Sequence, residues 1–154
     1  MTEPKFTPKP GQTDYTHIRY TPVINCVVVR ADKILLVQRS AGMRLYPNYW
    51  NGISGFLDDD KSIEEKAGEE LGEELGIVTK DIVSIRCGQV ILQEAPDYGK
   101  TWLVVPVLTT IRAVDLQTDW EAVAAQWFAP AEVPKLDLLP GFIDVFRQFF
   151  PEVL

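Results

Sequence analysis

Apolar residues are spaced along the chain in two distinct patterns. Residues 23–29 form an almost unbroken run rich in β-branched side chains, and residues 34–37 form a second, with Arg30-Ala31-Asp32-Lys33 between them. Short continuous runs bounded by polar residues predict strands buried on both faces, here joined as a hairpin. From residue 62 the period changes. Ile63, Ala67, Leu71 and Leu75 recur every four residues and make one stripe of a helix over 62–75. Ser62 with Glu65 predicts a capping box at its start, and Gly76 stands where a left-handed C-cap is wanted. Gly68 and Gly72 lie beside the stripe. Each costs about 1 kcal/mol against alanine in a helix interior, and close approach of the helix to a sheet is the expected compensation. Further strands are expected over 82–93 and 101–112, joined by a segment whose Pro96 and Gly99 mark a turn. Pro106 inside the second predicts an edge position or a bulge. A short strand at 125–128 and a C-terminal helix over 139–150, carrying Phe142, Ile143, Phe146, Phe149 and Phe150, complete the pattern.

Residues 1–20 contain Pro4, Pro8 and Pro10 and little to bury, so they read as an extended arm ahead of a single domain over 21–154. Residues 40–54 mix glycine, proline and asparagine with Tyr46, Tyr49 and Trp50, which suits a structured loop facing a ligand or covering a core edge. No repeat, low-complexity tract or linker divides the chain. At 154 residues a domain buries roughly 70% of its unfolded surface and needs no staples. Cys26 and Cys87 are too few for a disulfide framework and suggest a reducing, cytoplasmic setting, with a single bridge between them left open. The N-terminus lacks a basic region followed by an apolar one, so no signal peptide is expected. Apolar stretches such as 102–108 fall far short of the roughly 20 residues of a membrane span. A net charge of −7 disfavours nucleic-acid polymers, whose binding requires many basic side chains on phosphates. An anionic small molecule would need a bound cation to mediate.

The chemistry concentrates in the acidic helix. Between Asp58 and Glu74 nine carboxylates face only Lys61 and Lys66. Glu70, Glu73 and Glu74 are spaced three and four apart, so their side chains can converge beside the helix. Like charges at that spacing repel, and acids in the last turn oppose the helix dipole. A divalent cation reverses both penalties, and an all-oxygen ligand set favours Mg2+ or Mn2+ over zinc. A solvated helix face is the plain alternative for such a charge run.

In register, this segment resembles the box of the MutT-like Nudix hydrolases, G-x5-E-x7-R-E-U-x-E-E-x-G-U, with U a bulky aliphatic residue. Gly55, Glu70, Leu71, Glu73, Glu74, Gly76 and Ile77 match seven of its nine fixed positions. Leu35-Leu36-Val37-Gln38-Arg39 and Tyr46-Pro47-Asn48-Tyr49-Trp50-Asn51-Gly52 before the box, and Gln126-Trp127-Phe128 with Glu132-Val133 after it, resemble the family's flanks. The resemblance covers roughly residues 21–150 and implies an α+β fold, an α/β/α sandwich around a mixed sheet. Lys61 and Glu69 depart from the pattern, standing where it has glutamate and arginine. The signs are exchanged, so an attraction between the two positions is expected to survive with donor and acceptor reversed.

The resemblance implies a metal-dependent hydrolase that cleaves a diphosphate linkage in a nucleoside diphosphate derivative or a nucleoside triphosphate. Glu70, Glu73, Glu74 and the Gly55 carbonyl would hold Mg2+ or Mn2+, and Glu73 or Glu74 would serve as the base. In the family the base sometimes comes from a loop, which makes Glu94 and Glu121 candidates. Arg39 and Arg44 are candidates for phosphate oxygens, and Tyr46, Tyr49, Trp50 and Trp102 for a base or sugar. Asp58, Asp59 and Asp60 are either metal ligands or a solvated turn, and His17 lies in the arm. The expected partner is a small nucleotide or diphosphate, with no membrane and no nucleic-acid polymer. Leaving group and oligomeric state stay open, a homodimer included. Two other readings remain: a nucleotide- or partner-binding module without turnover, suggested by Lys61 and Glu69, and an isopentenyl diphosphate isomerase-like enzyme. The latter depends on cysteine and histidine at the site, and the box contains neither.

Overall fold

In the computed structural model, which describes residues 5–153, the apolar runs become the inner strands of one mixed sheet. Strands β1 (Tyr20–Arg30) and β2 (Lys33–Arg39) form the expected antiparallel hairpin. β3 (Trp50–Asn51) pairs with β2, and β4 (Ile53–Phe56) with β1. After helix α1 (Ile63–Leu75) come β5 (Ile82–Cys87), β6 (Ile91–Ala95), β7 (Lys100–Ile111), β8 (Ala122–Phe128) and helix α2 (Phe142–Phe149). The sheet runs β3-β2-β1-β7-β5, with β4 also on β1, β6 on β7 and β8 on β2. β1 and β7 are parallel from Tyr20↔Thr101 to Val29↔Thr110, and the other pairings are antiparallel.

Alternation along the strands explains why their sequences carry no polar period. Ile24, Cys26, Val28, Leu35 and Val37 point to one face, where Ala67, Leu71 and Leu75 of α1 cover them. Val27, Val29, Ile34 and Leu36 point to the other, against Phe142, Val145 and Phe146 of α2. Both faces are buried, so both registers are apolar. The result is a sheet between helices.

Helix α1 is capped as its sequence predicts. The Ser62 hydroxyl accepts from the Glu65 N–H, and the Glu65 carboxylate accepts from the Ser62 N–H, both at 3.1 Å. Gly76 closes the helix at φ 70°, ψ 18°. The expected role of the two internal glycines fails. A Cβ at Gly68 would meet nothing within 4 Å, and one at Gly72 would only touch the Ile77 carbonyl at 3.6 Å. They lie on the open flank of the stripe, and the sheet does not require them. Gly68→Ala is therefore expected to stabilise the protein by about 1 kcal/mol, raising its melting temperature by roughly 2–4 °C; an unchanged or lower melting temperature would contradict this.

The expected strand over 82–93 is two strands, because β7 changes partner beside it. β5 pairs as far as Cys87↔Val107, and β6 begins at Ile91↔Val104. Pro106 falls between the two ladders, where no N–H is needed, and its carbonyl accepts from Gly88 at 2.8 Å. It is thus interior to the sheet, at an interruption in the neighbouring strand.

The arm is strapped to the domain. Lys9-Pro10-Gly11-Gln12 closes a turn with Gln12 N–H donating to the Lys9 carbonyl at 3.0 Å, and Gly11 takes φ 81°. Residues 1–4 of the expected arm, and Leu154, lie outside the described residues. Cys26 is buried and Cys87 exposed, and the two are not bridged. Among the described residues no helix is long and apolar enough to cross a membrane.

Candidate active site

The stripe of α1 fixes how deeply each carboxylate sits. At about 100° per residue, Glu74 lies roughly 60° from Leu71 around the helix, Glu70 roughly 100° and Glu73 roughly 160°. Accordingly Glu74 is buried, Glu70 half-buried and Glu73 exposed. The three were expected to meet at one point. Instead, oxygens of Glu69, Glu70 and Glu73 lie within 4.8 Å of one another, and Glu74 turns inward beside Glu121 of the loop that precedes β8.

Crowding of like charges is visible in the electrostatics. Burial, then the charges of Glu73 and Glu121, push the Glu70 carboxyl up to about 8. Burial, then Glu121, hold Glu74 well above the ordinary carboxylate range, and Glu73 is raised by burial and by Glu69. Glu74 Oε2 is buried without a hydrogen-bond partner among the described residues. An orphaned carboxylate oxygen next to crowded, oxygen-only donors is what a hard divalent cation would satisfy, so the residues present fit Mg2+ or Mn2+. Gly55 on β4 is part of the same construction. A Cβ there would stand 2.5 Å from Glu70 Cδ and Oε1, so only glycine lets this carboxylate lie against the strand.

The two departures from the box face each other. Lys61 Nζ is 3.1 Å from Glu69 Oε2, and also 2.9 Å from Asp59. They belong to a larger network around Lys66, which is 2% exposed and reaches Asp58 at 3.3 Å, Asp59 at 2.9 Å and Glu69 at 3.1 Å. Burial alone would lower the Lys66 pKa, but its bonds to Asp59 and Glu69 raise it. Hydrogen bonds from Lys61 and then Lys66 hold Asp59 well below the usual range. Of the three aspartates left open as ligands, Asp58 and Asp59 are thus committed to this lysine.

Glu69, Glu70 and Glu73 open onto a cleft of about 700 Å3. Gly55, Glu70 and Glu73 border it, together with Phe56, Tyr46 and Trp102. The Trp102 indole donates to the Tyr46 hydroxyl at 3.0 Å, and the Tyr46 N–H donates to the Tyr98 hydroxyl at 3.0 Å. Arg39 and Arg44 also border the cleft. Arg39 donates to the carbonyls of Leu45, at 2.8 and 3.1 Å, and Tyr46, at 3.2 Å, and so shapes the loop that carries Arg44.

Trp50 and Tyr49, expected at the substrate, do not border the cleft. Trp50 packs edge-on against Phe128, with centroids 5.3 Å apart. Successive strand residues face opposite ways, so it is Asn51 that reaches the cleft. Asn51 accepts from the Asn25 amide at 2.9 Å. Among the loop acids, Glu121 borders the cleft with Trp120, whereas Glu94 is engaged by Arg19 at 3.3 Å and Thr101 at 2.9 Å. Sequence reasoning missed Glu69 as a member of the cluster, Lys66 as its buried counter-charge and Trp120 beside Glu121.

Residues 19–149 match the family model described as the NUDIX domain. The chain belongs to the Nudix family. This Nudix chain is 30% identical over 122 residues to "Nudix hydrolase 19, chloroplastic" of Arabidopsis thaliana, a match covering 76% of this chain and 26% of the relative. It therefore spans about a quarter of that protein's length. Among solved structures it is similar to a MutT protein from Methanosarcina mazei Go1, with TM-score 0.70 at 20% identity over 88% of this chain and 96% of the other. It is also similar to a C. elegans Ap4A hydrolase in a binary complex, with TM-score 0.68 at 20% identity over 86% and 96%. A third likeness is to the NUDIX domain of Shewanella oneidensis NrtR complexed with ADP ribose, with TM-score 0.70 at 20% identity over 85% and 86%. At these identities the shared property is the fold, and it agrees with the expected α+β architecture.

Proposed function

We propose that this Nudix protein is a metal-dependent hydrolase that cleaves a diphosphate linkage in a nucleoside diphosphate derivative or a nucleoside triphosphate. One observation carries the reading: the crowded carboxylates of Glu69, Glu70 and Glu73 stand at a cleft also bordered by aromatic and guanidinium groups, and the buried orphan oxygen of Glu74 lies behind them on the same helix. Glu70, Glu73, Glu74 and the Gly55 carbonyl would hold Mg2+ or Mn2+. Bound there, such an ion neutralises diphosphate charge and lowers the pKa of water. Glu73, exposed at the cleft, takes the proton of the attacking water, with Glu121 the second carboxylate in reach. Arg44 meets phosphate oxygens, while Arg39 holds the loop that presents it. Tyr46 and Trp102 offer faces to a base or sugar. The acidic balance disfavours a nucleic-acid polymer as the partner, and two unbridged cysteines suit a cytoplasmic setting.

The test is turnover by the purified protein with Mg2+, then Mn2+, against dinucleotides, ADP-ribose, nucleotide sugars and nucleoside triphosphates. The first two head the panel because one structural neighbour is an Ap4A hydrolase and another was crystallised with ADP ribose. Metal-dependent release of phosphate-containing products supports the reading. The second reading, a binding module without turnover, is favoured by Lys61 and Glu69 standing in the box as an ion pair. It predicts a folded protein that hydrolyses nothing in the panel.

Metal and proton compete for the same oxygens. Glu70 binds its proton more tightly folded than unfolded, with a pKa raised from 4.5 to about 8, and Glu74 is shifted the same way. Both therefore make the metal-free protein less stable as pH rises through that window. Thermal melts are expected to show metal-free stability declining from about pH 5 to about pH 8, with a Mg2+-induced rise that is larger at the higher pH. An equal rise at both would oppose metal binding at these carboxylates.

A further inference from the structure

The sheet, the box and both helices are complete without residues 5–19, yet the arm borders the cleft. Lys9, Gln12, Thr13 and Tyr15 stand along the same opening as Glu70 and Glu73. Two anchors hold the arm there. The first is the Lys9–Gln12 turn, whose proline at the second position and left-handed glycine at the third are type II turn chemistry. The Lys9 N–H also donates to Gln12 Oε1 at 3.0 Å. The turn is pinned to Asp58, which accepts from the Gln12 amide at 2.8 Å and, through its carbonyl, from Thr13 N–H at 2.6 Å. Asp58 is in turn bound to Lys66 of α1.

The second anchor is Lys100, at the start of β7. Its buried ammonium donates to the carbonyls of Tyr15 and Ile18 and to the Thr21 hydroxyl. An ammonium has three donors, and all three end on the arm or its junction with β1. A buried lysine is costly unless it is satisfied, so this latch only makes sense with the arm in place. Lys9 differs. It is exposed and forms no ion pair with a described residue, and its charge acts on the Glu73 carboxyl.

We propose that the arm is a wall of the substrate site and that Lys9, presented by the Lys9–Gln12 turn, binds a non-bridging oxygen of the diphosphate beside Glu73. The proposal rests on the hydrolase reading of the cleft and adds a substrate-positioning residue to it. A chain of net charge −7 that gathers carboxylates at its site repels a polyanion, and a lysine there supplies a compensating point charge.

The test is calorimetry on the full chain in Mg2+, with inorganic pyrophosphate as the probe. Lys9→Met is expected to weaken pyrophosphate binding about tenfold or more without weakening Mg2+ binding measured alone, and Lys9→Arg to retain most of it. Gly11→Ala keeps Lys9 but strains the turn, since the site has room for a Cβ but takes a positive φ; it is expected to weaken pyrophosphate binding as well. A wild type that binds no pyrophosphate, or Lys9→Met binding it as tightly as wild type, overturns the proposal. Gly11→Ala binding as wild type overturns the turn's part in it. If the hydrolase reading alone fails, the wild type cleaves nothing in the panel but still binds pyrophosphate through Lys9. If the Lys9 inference alone fails, the wild type turns substrate over and Lys9→Met matches it in KM and kcat.

Discussion

Glu73→Gln is expected to lower metal-dependent turnover roughly 100- to 10,000-fold, the range associated with losing a positioned base, and to leave the fold intact. The side chain is exposed at the cleft, so the amide disturbs no packing while removing both the charge and the proton affinity. Glu74→Gln is expected to lose turnover by another route. Glu74 is buried beside Glu121 with one oxygen unpartnered, and its ionised form is disfavoured in the folded protein. Making it neutral should raise the metal-free melting temperature at about pH 8 and diminish the rise that Mg2+ produces. Glu73→Gln, at an exposed position, should raise the metal-free melting temperature less than Glu74→Gln does. Steady-state kinetics and paired melts separate the two roles. Turnover that persists in both variants removes these carboxylates from the mechanism.

What the sequence made legible was local or strictly periodic. Ser62, Glu65 and Gly76 delimit α1 because caps are set by neighbours a turn away. The uninterrupted runs of β1 and β2 follow from a sheet covered on both faces. The box placed Glu70, Glu73 and Glu74 on one helix, but convergence was read from spacing alone. The angle each makes with the Ala67-Leu71-Leu75 stripe decides its depth, and it sends Glu74 inward. That angle was available in the sequence; which flank of the stripe meets open space was not, and so Gly68 was misread. A strand of two residues is too short to show a period, so nothing marked Trp50 as the core member and Asn51 as the cleft member of β3. Pro10-Gly11 was a readable turn signal. Its docking on Asp58, like the exchange of partners opposite Pro106, joins segments far apart in the chain and has no local signature.

Lys66→Met is expected to be the most destabilising of these substitutions, by about 3–5 kcal/mol, as for other broken buried ion pairs. For a domain of this size that is a fall in melting temperature on the order of 10 °C. The reason lies in what the methionine leaves behind. Asp58 is buried and has Lys66 as its only ion-pair partner among the described residues. Asp59 and Glu69 keep Lys61, whose half-exposed ammonium is screened by water. The pH dependence should change sign with the substitution. In the wild type Asp59 is held below its ordinary range, so its contribution is present above the unfolded value of 3.8 and is lost as pH falls through the folded one. Without Lys66 the crowded carboxylates gain stability when protonated, so acidification through about pH 5 to about pH 4 should narrow the gap to wild type. Asp58 also holds Gln12 and Thr13, so the arm should loosen, and protease cleavage between residues 5 and 19 should quicken. A fall of only a degree or so, parallel to wild type at every pH, would place the network with ordinary surface pairs. It would also mean that the exchanged charges of the box do not hold the arm that borders its cleft.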